Sequence, residues 1–284
     1  MVLANVLISA LTHALWNALL RLEKDKDRAL VGAIGVASLL AIVVAAIRFA
    51  VTGVPLFATT PALLYTLLAG FLEWLYFTAL ARALATGPLG TVYTISRGGA
   101  VLVIWPASVV LFGEPVTITA AIGAGVVCGG LALSSHTTGD ARTAQRGAVF
   151  WAALCAIAIA GYHLAYKAGL EAGASPSASF ALSLAFATLI NIVRLGGEGR
   201  AAARMILRTR LGRVVLMGVV CGGSFLILIE ALASGGAGFV LTLRNTSVLF
   251  AIGFAALIGE RPRAVQISGA VLVALGAVLI AWPA

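Results

Sequence analysis

The chain has 284 residues, of which 61% are hydrophobic and only 10% charged, with a formal net charge of +9. An average soluble domain carries about 25% charged residues, so a water-soluble globular enzyme is excluded. High apolar content excludes disorder, scarce cysteine excludes a disulfide scaffold, and the lack of a CxxC pair leaves zinc unfavoured, so what remains is a polytopic integral membrane protein.

A hydrocarbon core about 30 Å thick takes about 20 apolar residues of helix to cross. On that ruler the chain divides into ten spans: 2–20, 30–51, 62–84, 89–112, 116–135, 147–168, 176–195, 213–233, 237–258 and 263–282. The first, within MVLANVLISALTHALWN, has no basic leader and no clear cleavage site, so it reads as a retained span rather than a removed signal. Gly113-Glu114-Pro115 and Gly259-Glu260-Arg261-Pro262 are links short enough to force antiparallel neighbours. The longest polar stretches, Ser135–Arg146 and Gly196–Arg213, read as linkers too short for a soluble domain.

Basic residues set the orientation. The odd-numbered loops and their flanks hold fifteen of the nineteen, among them Arg21, Lys24, Lys26, Arg28, Arg200, Arg204, Arg208, Arg210 and Arg213, whereas the even loops hold only Arg48 and Lys167. The positive-inside rule places the odd loops in the cytoplasm and both termini outside. The net charge is therefore read as topology signal and headgroup contact, not as a nucleic-acid surface.

The chain also repeats itself. Gly113-Glu114 recurs as Gly259-Glu260, 146 residues on, and at the same offset Gly123 meets Gly269, Val127 meets Val273, Gly130 meets Gly276 and Leu133 meets Leu279. With a small gap, Ala83-Leu84-Ala85-Thr86-Gly87 matches Ala231-Leu232-Ala233-Ser234-Gly235, Thr94 matches Thr242, and His13-x-x-Trp16-Asn17 resembles His163-x-x-Tyr166-Lys167. The fold expected is all-α, with ten transmembrane helices in two inverted five-helix repeats, 1–140 and 141–284. Five spans per half is an odd number, so the second half is inverted, an arrangement that places binding sites near the bilayer midplane.

These features resemble the drug/metabolite transporter superfamily: two five-span halves, the HALWN stretch of the first span, and the Gly-Glu elements at 113–114 and 259–260. The nearest branch is the EamA type, and within it the YddG-like exporters of aromatic and neutral amino acids. The resemblance covers nearly the whole chain. It implies an export carrier of the bacterial inner membrane with a central cavity between the halves, no cofactor, and a small-molecule substrate. The second Gly-Glu copy departs in having Arg261 before Pro262.

Ionisable residues inside a span cost on the order of 3 kcal/mol or more, so they face the interior or a partner. Glu73 in span three and Arg97 in span four lie roughly 12–17 Å from the same membrane face. They are placed to pair, either around the two ends of a zwitterion or as a structural ion pair between helices. Glu230, near the end of span eight, reads as interfacial. Arg244 and Asn245 enter span nine from the opposite face, where the guanidinium either grips a carboxylate or snorkels to headgroups. His13, Trp16 and Asn17 share one face of span one by i, i+3, i+4 spacing, and Tyr162, His163, Tyr166 and Lys167 do nearly the same in span six. Tyr76 and Phe77 share the face of Glu73, while Tyr93 and Ser96 flank Arg97. Such walls suit an aromatic or apolar side chain, or serve ordinary helix packing. Histidine is also a candidate proton carrier. The glycines at 123, 130, 269 and 276, and the Gly125–Gly129 GxxxG, permit close approach of spans five and ten, within a monomer or across a homodimer.

No GxxxxGK[ST], HxxxH or GxSxG element occurs, so nothing points to ATP drive, metal or a serine nucleophile. The function expected is export of an amino acid by alternating access, with a sugar-phosphate or drug carrier as the alternative and a membrane-embedded transferase behind it.

Overall fold

The computed structural model describes residues 2–112, 116–135, 142–234, 240 and 243–280, and among these it contains α-helices and no strand. In chain order they are α1 (Val2–Arg21), α2 (Lys26–Thr52), α3 (Thr60–Thr86), α4 (Leu89–Phe112), α5 (Ile118–Ser135), α6 (Arg142–Glu171), α7 (Pro176–Arg194), α8 (Gly196–Thr209), α9 (Leu211–Ser234), α10 (Ser247–Leu257) and α11 (Ala264–Ile280). Seven of them, α1–α4, α6, α7 and α9, are long and apolar enough to cross a membrane, and α5, α10 and α11 are shorter apolar helices. The protein is an all-helical integral membrane protein. Gly113-Glu114-Pro115, Gly235 and Thr242 lie outside the described residues.

Local chemistry sets the helix ends. Asp25 Oδ1 accepts the backbone N–H of Arg28 at 3.2 Å to start α2, and Gly53, at φ +66°, ends it by donating to Phe49 O at 2.9 Å. Thr59 caps α3 in the same way, with Pro61 in its first turn. Polarity is inverted relative to a soluble fold. Leu39, Val43, Ile47, Leu64, Leu68, Phe71, Ile157 and Leu189 are exposed on the outside, while His13, Glu73, Arg97 and Arg244 are buried. In lipid that apolar belt is the solvated surface.

Two expectations are corrected. The stretch Gly196–Arg213 is not a polar linker. Most of it is α8, entered through a corner at Gly196 (φ +66°). Its alanines, methionine, leucine and arginines are strong helix formers. Span nine is also not one helix from 237 to 258. Val240, Leu243 and Arg244 are helical, but a turn at Asn245–Thr246 separates them from α10, held by three-residue bonds, Thr246 N to Leu243 O at 3.1 Å and Val248 N to Asn245 O at 3.0 Å. Such tightened turns re-aim side chains, and here the re-aimed residues are Arg244 and Asn245.

The long helices pack as α3 on α6, α1 on α9, α4 on α6, α1 on α10, α2 on both α7 and α9, α3 on α7, and α5 on α11. The α5–α11 seam is closest. A Cβ added to Gly123 would sit 2.6 Å from Gly276 O, and one added to Gly130 would sit 2.6 Å from Gly269 O, with the reciprocal contacts equally short. These four glycines are thus spent inside the chain, whereas Gly125 and Gly129 have open space around them. Backbone cannot yield as a flexible side chain does. Gly130→Val therefore destabilises by about 2–3 kcal/mol, seen as a thermal unfolding temperature in detergent lower by about 5 °C or more. An unchanged temperature would contradict the seam.

The two faces of the bundle differ. On the face bearing the basic loops, Glu23 accepts from Arg210 (3.0 Å) and Arg213 (3.2 Å), and Asp27 accepts from Arg194 (3.0 Å). On the other face the α2–α3 and α6–α7 linkers pair through Ala58 N to Gly173 O (3.0 Å) and Ser175 N to Leu56 O (2.9 Å), and Arg48 pairs with Glu230.

Candidate functional site

The central cluster lies midway along its helices. His13, on α1, is its hub. One turn earlier on the same face Ser9 hydrogen-bonds Ser224 O of α9 at 2.6 Å, and one turn later Trp16 Nε1 donates to His13 Nδ1 at 3.2 Å. Arg244 Nη2 reaches the same Nδ1 at 2.9 Å, while its Nη1 donates to Ser9 Oγ at 2.9 Å. The opposite ring nitrogen, Nε2, is met by Arg97 Nη2 and by the Tyr76 hydroxyl at 3.5 Å. Two guanidiniums from different helices thus converge on one imidazole.

That convergence leaves a deficit. A neutral imidazole offers one acceptor nitrogen, and a protonated one offers none. Donors arrive at both nitrogens, so at least one guanidinium faces an N–H instead of an acceptor. Among the described residues no carboxylate is paired with Arg97 or Arg244, although both are buried. Besides these neutral partners they face rings, Tyr93 at 5.6 Å from Arg97 and Phe225 at 4.9 Å from Arg244. A buried cation without a counter-ion is costly.

The Glu73–Arg97 pair anticipated from their depth does not form. Glu73 is buried, but its Oε1 accepts the Tyr166 hydroxyl at 2.7 Å, and Tyr166 in turn contacts Ser183 of α7. The face of α3 that carries Glu73 packs on α6 and α7, and α4 approaches α1 and α6 instead. Equal depth therefore does not become contact. Tyrosine rings connect the two poles: Tyr166 to Tyr162 at 6.0 Å between centroids, and Tyr162 to Tyr76 at 5.6 Å.

All thirteen side chains singled out from sequence are buried: His13, Trp16, Asn17, Glu73, Tyr76, Phe77, Tyr93, Ser96, Arg97, His163, Tyr166, Arg244 and Asn245. His13, Trp16, Phe77, Tyr76, Tyr93, Arg97 and Arg244 touch one another as one cluster. Glu73 and Tyr166 form a second. Asn17 Nδ2 and Ser96 Oγ bond back to their own helices, to His13 O and Tyr93 O. Several polar atoms in this region have no hydrogen-bond partner among the described residues: Glu73 Oε2, Tyr93 OH, Tyr162 OH, both nitrogens of His163, Asn17 Oδ1 and Arg244 Nε. Native interiors leave few such groups, so their concentration here marks a site built for something besides its own packing. Sequence reasoning missed Ser9, Ser183, Ser224, Phe180 and Phe225. Ser9 was legible, one helical turn before His13. The stacked Phe180–Phe225 pair, 5.3 Å apart, carried no polar mark.

One structural element ties helix ends together on the basic face. Glu260 Oε1 accepts from Arg21 Nε at 2.8 Å, and its two oxygens accept the Leu89 N–H at the start of α4 at 3.2 and 2.9 Å. Arg21 also donates to Leu84 O at 2.8 Å, near the end of α3. The Gly259-Glu260 element is therefore a latch between the end of α10, the end of α1 and the α3–α4 corner. Its carboxylate suits the positive N-terminal end of α4.

Comparison with known proteins agrees with this architecture. One solved crystal structure, described only as that of a protein, is similar over 98% of this chain and 97% of its own, at 16% identity and a TM-score of 0.64. At that identity the likeness speaks to the fold alone. No curated protein matches the chain. Residues 146–282, however, match the EamA-like transporter family, a family of transporters rather than enzymes. Over residues 146–282 the second half of this integral membrane protein is thus similar to the EamA-like transporter family.

Proposed function

We propose that the whole chain is a secondary transporter that exports amino acids, aromatic or neutral, from the cytoplasm across the bacterial inner membrane by alternating access. The observation that carries this reading is the pair of buried guanidiniums sharing one imidazole with no carboxylate beside them among the described residues. A substrate carboxylate supplies the missing acceptor, and guanidinium forks hold it by paired hydrogen bonds. Trp16, Tyr76, Phe77, Tyr162 and Phe225 line the path of an aromatic body. Glu73, with one oxygen unpartnered, takes the ammonium. Because tyrosine rings connect the poles, a ligand engages both only when Tyr76 or Tyr162 turns.

Two inverted repeats, 1–140 and 141–284, supply the rocking units. Packing supports this: exchanging α1 with α6, α2 with α7, α3 with α9, α4 with α10 and α5 with α11 turns each main helix contact into another one that is present. The Glu260 latch then closes the basic face. Glu260→Ala removes it, raising thiol labelling of Asn17→Cys from that face about tenfold, as expected for a loss of about 1.4 kcal/mol from the closed state. No change in labelling would separate the latch from gating.

Uptake of labelled phenylalanine, tyrosine and leucine into liposomes holding the purified protein, with and without a pH gradient, tests the substrate. No movement of any of them ends the amino-acid reading. A gradient effect makes protons the coupling ion, and none makes the process facilitated diffusion. A second reading, a phosphate ester or other small organic anion, draws on the same paired guanidiniums. Competition by phenyl phosphate but not by phenylalanine would favour it.

A further inference from the structure

A groove of about 320 Å3 opens between α2, α7 and α8 on the face bearing the basic loops. Its walls are apolar, chiefly Val36, Leu39, Ile192 and Leu207, and Gly32 and Gly35 leave its floor without side chains. Nothing lies within 4 Å of a Cβ built on Gly35. At the mouth stand Arg200 and Arg204, which share one stripe of α8 with Ala203 and Leu207. Of the neighbouring cations, Arg194 is engaged by Asp27, and Arg210 and Arg213 by Glu23. Arg200 and Arg204 are exposed and make no hydrogen bond or ion pair with any described residue. Glu198 is two residues from Arg200, a spacing that does not face it.

We infer that this groove binds one anionic phospholipid, with an acyl chain along Val36, Leu39 and Ile192 and the phosphate between Arg200 and Arg204. The groove begins at Val31, one to two turns into α2, and reaches Leu39, which places its floor at acyl-chain depth and its arginines at headgroup depth. Charge and shape point to the same occupant. A soluble phosphate has no use for the apolar floor, and a zwitterionic lipid gives the two unpaired guanidiniums no net charge. Bound there, the lipid ties α8 to α2 and α7. The inference needs only the membrane fold and is independent of the substrate.

Native mass spectrometry of the full chain, released from neutral detergent after incubation with equal phosphatidylglycerol and phosphatidylcholine of matched chains, reads the occupancy. Phosphatidylglycerol is retained about tenfold over phosphatidylcholine. Arg200→Ala with Arg204→Ala, at exposed positions that leave the fold intact, removes the preference, and Gly35→Leu lowers retention of both lipids by filling the floor. Glycerol phosphate leaves the unfolding temperature unchanged where phosphatidylglycerol raises it. Equal retention of the two lipids, or an unaltered preference in the arginine variant, overturns the inference. So does equal protection by glycerol phosphate, which would assign the arginines to a free anion. If Gly35→Leu does not fold, the arginine variant alone decides.

Discussion

Arg97→Met and Arg244→Met each abolish transport, by about 100-fold or more, and yet raise the thermal unfolding temperature. The two effects have one cause. Each guanidinium is buried, and among the described residues neither has a carboxylate partner. A paired buried charge loses stability when its partner is cut, but replacing uncompensated buried charge by a well-packed apolar side chain of similar volume is often neutral or stabilising by about 1–4 kcal/mol. Met fills much the same space and relieves the crowding on His13. Transport should collapse because a desolvated charge pair is typically worth 2–5 kcal/mol to a bound anion. Flux in proteoliposomes and unfolding in detergent are the two readouts. If the Met variants unfold at lower temperature, the arginines hold the bundle together and the binding reading loses its basis.

Glu73→Gln separates the two poles. The amide oxygen still accepts the Tyr166 hydroxyl, so the α3–α6 contact persists, but the negative charge is gone. Uptake of phenylalanine falls by about 30-fold or more, in line with losing a charge-assisted contact worth about 2 kcal/mol or more. Uptake of 3-phenylpropionate, which has the carboxylate and ring but no ammonium, changes little. A substrate-independent loss would instead make Glu73 a coupling or structural group. Retained phenylalanine flux would remove it from the site. These contrasts work because the poles are distinct: Glu73 meets Tyr166, and the arginines meet His13.

The Glu260 latch gives the short Gly-Glu link a physical role. It caps the first turn of α4 and holds the end of α1 against the α3–α4 corner. At the offset of 146 residues, Glu114 is its counterpart in the sequence.

Much of this was written locally in the chain. Low charge with long apolar runs dictates helices in lipid, since lipid leaves no other way to satisfy the backbone. Charges placed mid-span had to turn inward for the same reason, and Glu73, Arg97 and Arg244 did. The i, i+3, i+4 spacing of His13, Trp16 and Asn17 named a helix face. What that face would touch was decided only by packing between segments hundreds of residues apart. Depth put Glu73 level with Arg97, yet helix rotation gave Glu73 to Tyr166 and Arg97 to His13. The turn at Asn245–Thr246, marked by no proline in its span, aims Arg244 at the same imidazole. Glycine spacing was equally compatible with contact inside the chain or between copies, because lipid tails are as apolar as leucine and hydrophobicity does not choose. The α5–α11 crossing chose, spending four glycines on each other and leaving Gly125 and Gly129 outside.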